Sequence, residues 1–316
     1  MQIRHAVLLR LKELIVLGLF LTVVSWLGQF HWIPDLISHL RVQLAVGAFL
    51  ICLGLILLRG WKVLGFAAVG LVLNLWPVLP YYASDNLTGL PTKHRLLTFN
   101  VLTSNSKSVA VIETIRESEP DYVILMEVDN HWENALAPLL LDYPNFLFKT
   151  RQDNFGMAFL SKNPWSSIEV LDPKAQGLPA FEVRFEDVEL ASGYRGGLKI
   201  LGVHPIPPMS RDHWQDRNEY LETVFQRISP KEATIVSGDL NLSPWSPVFR
   251  QLTSQASLTD SAIGFGIQPT WAWPPFPEWL SGVMLDLTLV TEQIDVVDHR
   301  VGPRAGSDHR PVIVDF

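Results

Sequence analysis

Several apolar segments of this chain end in polar residues that can do chemistry. In VSGDLNLSPWS, residues 236–246, a β-type run ends in Asp239 and Asn241, two positions apart. Side chains two apart in a strand point to the same face, so these two are expected to project together. An ordinary turn is the alternative, because Gly, Asp, Asn, Ser and Pro are all turn formers. This stretch alone leaves both interpretations open.

Other candidate strands end in the same way. DYVILMEVD runs through apolar residues into Glu127, whose carboxylate would be costly to bury unless it is paired, hydrogen-bonded or bound to a cation. Taken singly, such residues are often satisfied core or cap residues. Their combination favours a site, and its further members are Asn100 in LLTFNV, His204 in LGVHP, Asp286 in MLDLTLV, and Asp308 and His309 in GSDHRPV.

The types of these residues indicate a hard divalent cation. The set offers carboxylates, amides and imidazoles, without a cysteine or a lysine. A few oxygen ligands suit Mg²⁺, which keeps several waters and shares its shell with substrate phosphate. A zinc site would need closely spaced His or Cys, and no HExxH motif occurs in the chain. Mn²⁺ accepts the same ligands as Mg²⁺, so the sequence does not distinguish the two ions.

Alternating strands and helices must position these residues. Apolar β-type runs recur at 95–103, 122–128, 155–161, 180–185, 198–204, 234–239, 285–290 and 312–316. Helical spacing marks two segments between them, one at Val111, Ile112 and Ile115, the other at Leu221, Val224, Phe225 and Ile228. This order predicts layered α/β packing with sheets inside and helices outside.

The N-terminal region has a different character. The 316-residue chain is 48% hydrophobic, and the excess lies in three runs, 14–30, 42–58 and 63–82. Each is near the length that spans a bilayer as a helix, so we predict a membrane anchor with three transmembrane helices over 1–82. A signal peptide for the first run, or a buried helical core for all three, is the alternative. A polar linker is predicted at 83–94 and a catalytic domain at 95–316.

Basic residues predict the orientation of the anchor. Three precede the first run and two lie between the second and third, whereas the loop between the first and second has only Arg41. By the positive-inside rule the N-terminus lies inside and the catalytic domain outside. The only cysteine, Cys52, falls within the second run, so the predicted outer domain has neither thiol nor disulfide.

Charge is divided unevenly along the chain. Of 25 Lys/Arg and 32 Asp/Glu, residues 1–82 hold six and two, and the remainder carries 19 and 30. Proteins that grip nucleic acid through its backbone usually present a basic surface. Nucleic acid is therefore a disfavoured partner, and part of the acidity is consistent with a metal site.

The motifs at the strand ends, taken together, resemble those of a known family. LLTFNV, VILMEVD, GMAFLSK, GVHP, SGDLNLSPWS, LDLTLV and GSDHRPV, in this order over residues 95–316, resemble the endonuclease/exonuclease/phosphatase superfamily of Mg²⁺-dependent phosphodiesterases. With the three apolar runs before them, they look like a membrane-anchored bacterial branch. The resemblance implies an α/β fold, a four-layer α/β/β/α sandwich that is preceded here by three transmembrane helices. The helices would lie in a bacterial inner membrane, with the catalytic domain on the periplasmic or extracellular side.

The resemblance also implies roles for the site residues. Glu127 would be the principal metal ligand, Asn100 would hold or position the metal, and Asp308 would be a second ligand on the metal side. Asp239 would orient and deprotonate the attacking water, and Asn241 would fix that water or a phosphate oxygen. His309 would contact the phosphate, with Asp286 holding its ring. His204 would contact phosphate or act as general acid for the leaving group.

Two departures from the family pattern affect the substrate. The family often has His directly after the seventh-strand aspartate, where this chain has Leu287, so a modified pocket is expected. The segment after Asn100 lacks the acidic residue of DNA-repair members.

Two proline-rich segments are predicted to form loops. The first is residues 266–282, GIQPTWAWPPFPEWLSG, which predicts a stiff loop beside Asp286 that packs, enters the lipid interface or stacks on substrate. HPIPPMSRDHW, from His204 on, predicts a proline-stiffened rim.

The sequence thus predicts a membrane-anchored, divalent-metal-dependent phosphodiesterase. Anchoring favours a phospholipid or another envelope phosphoester as substrate. An extracytoplasmic nuclease, or a non-catalytic membrane binding or sensing module with the same fold, is the alternative. The sequence carries no signal for the oligomeric state.

Overall fold

The computed structural model describes residues 2–83, 90–173, 177–273 and 275–316. Residues 84–89 of the predicted linker lie outside the described residues. The α-helices are α1 (Gln2–Ser25), α2 (Trp32–Ser38), α3 (Arg41–Leu57), α4 (Trp61–Leu75), α5 (Ser108–Ser118), α6 (Asn130–Ala135), α7 (Arg211–Phe225), α8 (Pro247–Ala256) and α9 (Glu278–Ser281). The strands are β1 (Arg95–Asn100), β2 (Tyr122–Met126), β3 (Asn145–Lys149), β4 (Met157–Ser161), β5 (Ser167–Leu171), β6 (Ala180–Glu189), β7 (Arg195–Val203), β8 (Ala233–Asp239), β9 (Thr259–Asp260), β10 (Trp271–Ala272), β11 (Gly282–Val283), β12 (Asp286–Val290), β13 (Asp298–Val301) and β14 (Val312–Asp315).

Twelve of these strands form two mixed six-stranded sheets. The first sheet has the order β13-β14-β1-β2-β4-β3 and the second the order β5-β6-β7-β8-β12-β9. Each sheet contains one parallel pair, β1 with β2 and β7 with β8. Helices α5 and α7 make the two crossovers, as parallel neighbours require. The carboxyl ends of each parallel pair therefore lie together at one edge of its sheet.

Strand alternation packs the sheets face to face between helices. In β1, Leu96 lies in a core cluster with residues of the second sheet, whereas Leu97 packs in another cluster with Ile115 of α5. In β8, Ile235 belongs to the cluster between the sheets and Val236 to a third cluster with α7 and α8. The layers are therefore helix, sheet, sheet and helix, and the predicted layered α/β architecture is confirmed.

The same alternation carries polar residues to the inner faces. Asn100 is four residues beyond Leu96, Asp239 four beyond Ile235, and Asp286 four before Val290, which also packs between the sheets. Residues an even number apart in a strand share a face. The three polar side chains consequently lie between the two sheets, at strand ends where the apolar core stops.

All eight predicted runs contain strands, with boundaries shifted by a few residues. The strands that the hydrophobic pattern did not predict include β3, β5 and β13, whose residues are largely exposed or half-buried. Strands β3, β5 and β13 are edge strands, each paired on one side only. Edge strands need no continuous apolar run, which explains why their sequences gave no clear signal.

The N-terminal helices differ from the expected three spans. Helices α1, α3 and α4 meet in a small apolar cluster of Ile15, Cys52, Leu55 and Ala67. Among the described residues, no single helix combines the length and the apolar composition needed to cross a membrane. The bent pair of α2 and α3, which meet at 60°, satisfies both criteria when the two helices are taken together. The three transmembrane helices stay a prediction.

Helix α2 packs against the two-sheet domain through a buried aspartate. Asp35 Oδ2 accepts hydrogen bonds from Arg217 at 2.6 Å and from Trp214 Nε1 at 3.1 Å. The hydroxyl of Ser246 donates to the other carboxylate oxygen. Both Asp35 and Arg217 are fully buried, so the chain before residue 83 makes a specific contact with the two-sheet domain.

Candidate active site

Asn100 links the ends of the two sheets. It closes β1, and Glu127 is the first residue after β2, the parallel neighbour of β1. Asn100 Nδ2 donates to Glu127 Oε1 at 3.0 Å and lies 3.3 Å from Oδ2 of Asp239, which ends β8 of the second sheet. One amide group therefore contacts both of the carboxylates predicted for metal binding and base catalysis.

Glu127 is held at the strand end by backbone geometry. Its φ is +62°, in the left-handed region, which turns the chain sharply after β2. Its Oε2 accepts a hydrogen bond from the backbone N–H of Thr103 at 3.1 Å. Burial raises the pKa of the Glu127 carboxyl despite the hydrogen bonds from Thr103 and Asn100. A cation beside this carboxylate would offset the cost of burying its charge.

Asp239 and Asn241 reach the site through a turn. Strand β8 ends at Asp239, and Asn241 follows with φ +48°, a conformation that Asn tolerates. Asp239 Oδ1 accepts the Asn241 N–H at 2.9 Å, and Asn241 Nδ2 donates to the Pro205 carbonyl at 3.0 Å. The expectation that strand alternation aligns these two side chains is wrong, because the strand ends between them. Both nevertheless line the same cleft.

Asp286 faces Asp239 across the sheet. Strands β12 and β8 pair antiparallel with these two residues directly opposite each other. Facing carboxylates repel each other, and His309 lies against both. Its Nδ1 donates to Asp286 Oδ2 at 2.7 Å, and its Nε2 is 3.7 Å from Asp239 Oδ2.

The two carboxylates determine the charge of His309. Burial by itself would lower the pKa of its imidazole, but Asp286 and Asp239 outweigh burial and raise the pKa to about 10. The ring is therefore a cation at neutral pH. Asp239, Asp286 and His309 lie close enough together to hold a metal ion. A protonated imidazole has no free lone pair for a metal ion, so the carboxylates of the site are its available ligands.

His204 is a neutral group in the same wall of the site. The ring is 3% exposed and its Nε2 is 3.8 Å from Asp239 Oδ2. Burial lowers the pKa of His204 to about 4, although Asp239 acts in the opposite direction. A neutral ring can donate a hydrogen bond to phosphate. A neutral ring has no extra proton to give to the leaving group at neutral pH. This favours phosphate contact over general acid catalysis as the role of His204.

Asp308 retains an unused carboxylate oxygen. Its Oδ2 accepts the indole N–H of Trp271 at 3.1 Å. Its Oδ1 is buried and has no hydrogen-bond partner within the described residues. A buried carboxylate oxygen without a partner is costly, and a bound cation would satisfy it. Trp271 belongs to the tryptophan-rich loop 266–282. This loop therefore packs against a site residue, which is the first of the alternatives expected for it.

Three hydroxyl residues that the sequence pattern did not indicate hold the backbone of the site. Thr103 Oγ1 donates to the Glu127 carbonyl at 3.1 Å. Ser307 Oγ donates to the Asn100 carbonyl at 2.7 Å and accepts the His309 N–H at 3.0 Å. Thr270 Oγ1 accepts the N–H of Asp286 at 3.0 Å. Small hydroxyl residues occur throughout any chain, so only Ser307, inside GSDHRPV, lay in a motif that signals a site.

The donor set fits a hard divalent cation. Glu127 and Asp308 would each offer a carboxylate oxygen to such an ion, and the Asn100 amide donates a hydrogen bond to Glu127. Mg²⁺ commonly takes one or two carboxylates and completes its shell with water and substrate phosphate. The chemistry of the residues therefore fits Mg²⁺ or Mn²⁺ and lacks the sulfur ligands typical of structural zinc sites.

Five of the site residues line a cleft of about 860 Å³, whereas Asn100, Asp286 and Asp308 are not among its lining residues. The volume is at the upper end of the range for small-molecule sites, which is roughly 300 to 1,000 Å³. The cleft is bounded by Glu127, His204, Asp239, Asn241 and His309 on one side. The predicted proline rim contributes Pro207, Pro208 and Met209, and helix α2 forms a further wall.

Comparison with known proteins identifies the family. The sequence model described as the endonuclease/exonuclease/phosphatase family matches residues 97–309, about two thirds of the chain. The chain belongs to this family. Members of the endonuclease/exonuclease/phosphatase family are generally phosphoester hydrolases that use divalent metals. No curated protein sequence matches the chain.

Solved structures agree with this assignment at the level of the fold. An endonuclease/exonuclease/phosphatase from Beutenbergia cavernae is 20% identical, with a TM-score of 0.57 and coverage of 71% of each chain. A 3′ phosphatase, NExo, from Neisseria, bound to a product DNA hairpin, is 19% identical with a TM-score of 0.57, covering 71% of this chain and 99% of that one. A truncated TDP2 from Caenorhabditis elegans is 13% identical with a TM-score of 0.54, covering 71% and 97%.

The departure at Leu287 has a simple structural consequence. Leu287 follows Asp286 in β12 and is almost fully buried in the cluster with α7 and α8. Adjacent strand residues point to opposite faces, so Leu287 points away from the catalytic cleft. A family histidine at this position would need a different local backbone to reach the site, and the Asp286–His309 contact is intact without it.

Proposed function

We propose that the chain is a divalent-metal-dependent phosphodiesterase that hydrolyses phosphoesters by attack of water on phosphorus. One observation carries the proposal: Glu127, Asp239 and the Asp286–His309 pair converge between the sheets at one end of the sandwich. Glu127, Asp308 and Asn100 would hold or position Mg²⁺ or Mn²⁺. When bound, the ion neutralises phosphate charge and orients the ester.

Asp239 is the base that activates water. Its Oδ1 is engaged with Asn241, which leaves Oδ2 facing His309 and His204. Burial raises the pKa of Asp239, which makes its carboxylate a stronger base. The water oxygen bonds to phosphorus, its proton moves to Asp239, and the bond from phosphorus to the leaving oxygen breaks. A proton from solvent neutralises the leaving alkoxide.

The His309 cation stabilises the charge that develops on phosphate. Asp286 fixes the ring through Nδ1 and leaves Nε2 directed toward Asp239 and the cleft. A preorganised cation in a dry site is worth far more than one in water. His204 and Asn241 are placed to hydrogen-bond a phosphate oxygen or the water.

The test is hydrolysis of bis-p-nitrophenyl phosphate by the full-length protein, with Mg²⁺, with Mn²⁺ and after chelation. We expect metal-dependent turnover that Asp239→Asn lowers by about 10² to 10⁴, the range for loss of a positioned base. Asp142→Asn, on the surface of the same domain, is the matched control. Turnover that survives Asp239→Asn would show that Asp239 is not the base, and the absence of turnover with either metal would support a non-catalytic binding or sensing module.

We further infer that the N-terminal region anchors the protein in a bacterial inner membrane, with the catalytic domain on the outer side. The bent pair α2–α3 has suitable length and composition, and basic residues flank the apolar runs asymmetrically. Large apolar side chains on these helices are also exposed, among them Phe20, Phe49, Leu57, Phe66 and Val72. Soluble proteins rarely expose so many apolar residues together.

A single-cysteine variant tests this orientation. Cys52→Ser removes the only thiol, and Leu141→Cys adds one at a side chain of the catalytic domain that is 89% exposed. We expect a membrane-impermeant maleimide to label Leu141→Cys in intact spheroplasts. Labelling only after lysis would place the domain inside. Release of the protein from membranes by alkaline carbonate would contradict the anchor.

A further inference from the structure

The cleft above the catalytic residues changes character along its length. The proposed catalytic residues in its lining are polar, whereas most of the other lining residues are apolar, with His39, Asp153, Asn154 and Ser281 as the polar exceptions. We call the apolar part the alkyl groove and define it by two walls, Leu36, Ile37 and Leu40 from the N-terminal region and Met209, Trp273 and Val283 from later segments of the chain. A ligand that fills both parts must combine a charged ester with an apolar substituent.

The first wall of the alkyl groove comes from the N-terminal region. Ile33, Leu36, Ile37 and Leu40 follow the spacing i, i+3, i+4 and i+7, which places them along one face of α2 and the turn after it. The opposite side of α2 carries Asp35, which is bonded into the catalytic domain. The buried polar contacts of Asp35 thus hold an apolar helix face toward the catalytic centre.

The charge of the cleft argues against a polynucleotide. Among its lining residues in the described part of the chain there is neither Lys nor Arg, and the carboxylates are Glu127, Asp153 and Asp239. A nucleic acid strand brings several phosphates into a site, and proteins bind them through basic grooves and stacked bases. The cleft supplies cationic charge only at its catalytic end, enough for one phosphate.

The mouth of the alkyl groove also fits a ligand from a lipid layer. Leu40, Met209 and Trp273 are 44%, 66% and 58% exposed. Exposed large apolar side chains around one opening mark a site for an apolar partner. The groove wall ends at Leu40, and α3, part of the bent apolar pair, begins at the next residue.

We propose that the substrate is an amphiphilic phosphoester, with its phosphate at Asp239 and His309 and a long alkyl chain in the alkyl groove. This inference rests on the proposed function and adds a substrate class to it. It also makes α2 a part of the substrate site, in addition to its place in the predicted anchor.

Two chromogenic diesters isolate the alkyl chain. p-Nitrophenyl methyl phosphate and p-nitrophenyl octyl phosphate share charge, reacting phosphorus and leaving group, and differ by seven methylenes. In both, water adds to phosphorus and p-nitrophenolate leaves. The readout is the ratio of kcat/KM for the octyl ester to that for the methyl ester, measured on the full-length protein in one detergent. Partition of the octyl ester into detergent is equal for all variants and cancels between them.

Leu40→Ser and Met209→Ser test the two walls of the groove. Each removes apolar contact area from one wall, so we expect the octyl-to-methyl ratio to fall by about tenfold in each variant. Ser is also a favoured residue at the position before a helix, which makes Leu40→Ser compatible with α3. Leu141→Ser, an exposed position far from the groove in sequence, is the matched control and keeps the wild-type ratio.

The outcomes separate this inference from the proposed function. Turnover with the same ratio in wild type and both groove variants overturns the alkyl groove and leaves the phosphoesterase standing. A higher kcat/KM for a single-stranded oligonucleotide than for the octyl ester overturns it in favour of nucleic acid.

If neither ester is hydrolysed, the proposed function fails and binding decides the groove. Octyl phosphate and methyl phosphate are then titrated while tryptophan fluorescence is followed, since Trp271 and Trp273 line the cleft. Tighter binding of octyl phosphate that Leu40→Ser weakens supports the groove. Equal affinities for the two phosphates overturn it.

Discussion

Asp35 and Arg217 form a fully buried ion pair between residues 182 positions apart, with 2.6 Å between the carboxylate and the guanidinium. The same guanidinium donates from a second nitrogen to the carbonyl of Asn241, at 3.0 Å. Asn241 is the residue whose N–H orients the Asp239 carboxylate. A continuous set of hydrogen bonds therefore connects helix α2 to the proposed catalytic base.

Neutralising Asp35 should affect both folding and catalysis. In Asp35→Asn, Arg217 keeps its charge in a site without water, and breaking a buried pair from one side typically costs about 3–5 kcal/mol. We expect a lower melting temperature and a lower kcat, because the Asn241 loop loses its support. Thermal unfolding and kcat on bis-p-nitrophenyl phosphate, both on the full chain, check the two effects.

The exposed pair Arg116–Asp142 is the control for this substitution. Its two side chains are 48% and 47% exposed at a separation of 3.0 Å. Asp142→Asn should change stability by about 1 kcal/mol at most, because surface pairs contribute little. If Asp35→Asn were equally mild, the buried pair would not support the catalytic loop.

The contrast between these two pairs shows where prediction from sequence stops. Local patterns predicted the strands that deliver Asn100, Glu127 and Asp239 at their ends, since an apolar run followed by a polar residue is visible in a few letters. The meeting of Asp35 with Arg217 depends on how distant segments pack, and no local pattern encodes it. A carboxylate within the apolar stretch HWIPDLISHL was the only hint.

The turn at Asn241 shows a second limit. Two residues of a β-type run were expected to share a face by alternation, but alternation applies only while the strand continues. The strand ends at Asp239, and the positive φ of Asn241 comes from the turn. Strand ends are the least predictable part of a strand, and catalytic side chains lie there.

Gly238, directly before the proposed base Asp239, should not tolerate a side chain. A Cβ at this position would lie 1.9 Å from the carbonyl oxygen of Val203 in the neighbouring parallel strand β7. Gly238→Ala must therefore push β7 and β8 apart at the site, and we expect a loss of about 3 kcal/mol or more in unfolding free energy. Chemical denaturation of the full chain measures this loss.

Gly197, in β7 itself, gives the matching control. A Cβ there would meet its nearest heavy atom, the Phe185 carbonyl oxygen, at 3.5 Å, an ordinary contact distance. Gly197→Ala should change stability by less than about 1 kcal/mol. Equal effects at Gly197 and Gly238 would mean that the approach of β7 to β8 does not restrict position 238.

The pH dependence of turnover should report the Asp286–His309 pair. The carboxylates raise the pKa of His309 above its ordinary value, so the imidazolium is present below that pKa and is lost as the pH rises through it. Asp286→Asn removes one of those carboxylates. We expect kcat to fall by about 10² to 10⁴ and the alkaline decline in kcat to move to lower pH. A lower kcat with an unmoved alkaline limb would show that Asp286 acts on something other than the charge of His309.

Metal affinity should depend on Glu127 more than on any surface carboxylate. Glu127→Gln keeps the shape of the side chain and its contact with Asn100, but it removes the negative charge that a divalent ion requires. We expect the Mg²⁺ concentration for half-maximal turnover to rise by at least 10- to 100-fold, the effect already seen for residues that only support metal ligands. Titration calorimetry with Mn²⁺ gives an independent measurement of the same affinity.

The control is Glu113→Gln, on the exposed face of α5, which should leave both values unchanged. The opposite result, weaker Mn²⁺ binding in Asp286→Asn but not in Glu127→Gln, would contradict this prediction. The metal would then bind to the cluster of Asp239, Asp286 and His309, with the His309 ring neutral.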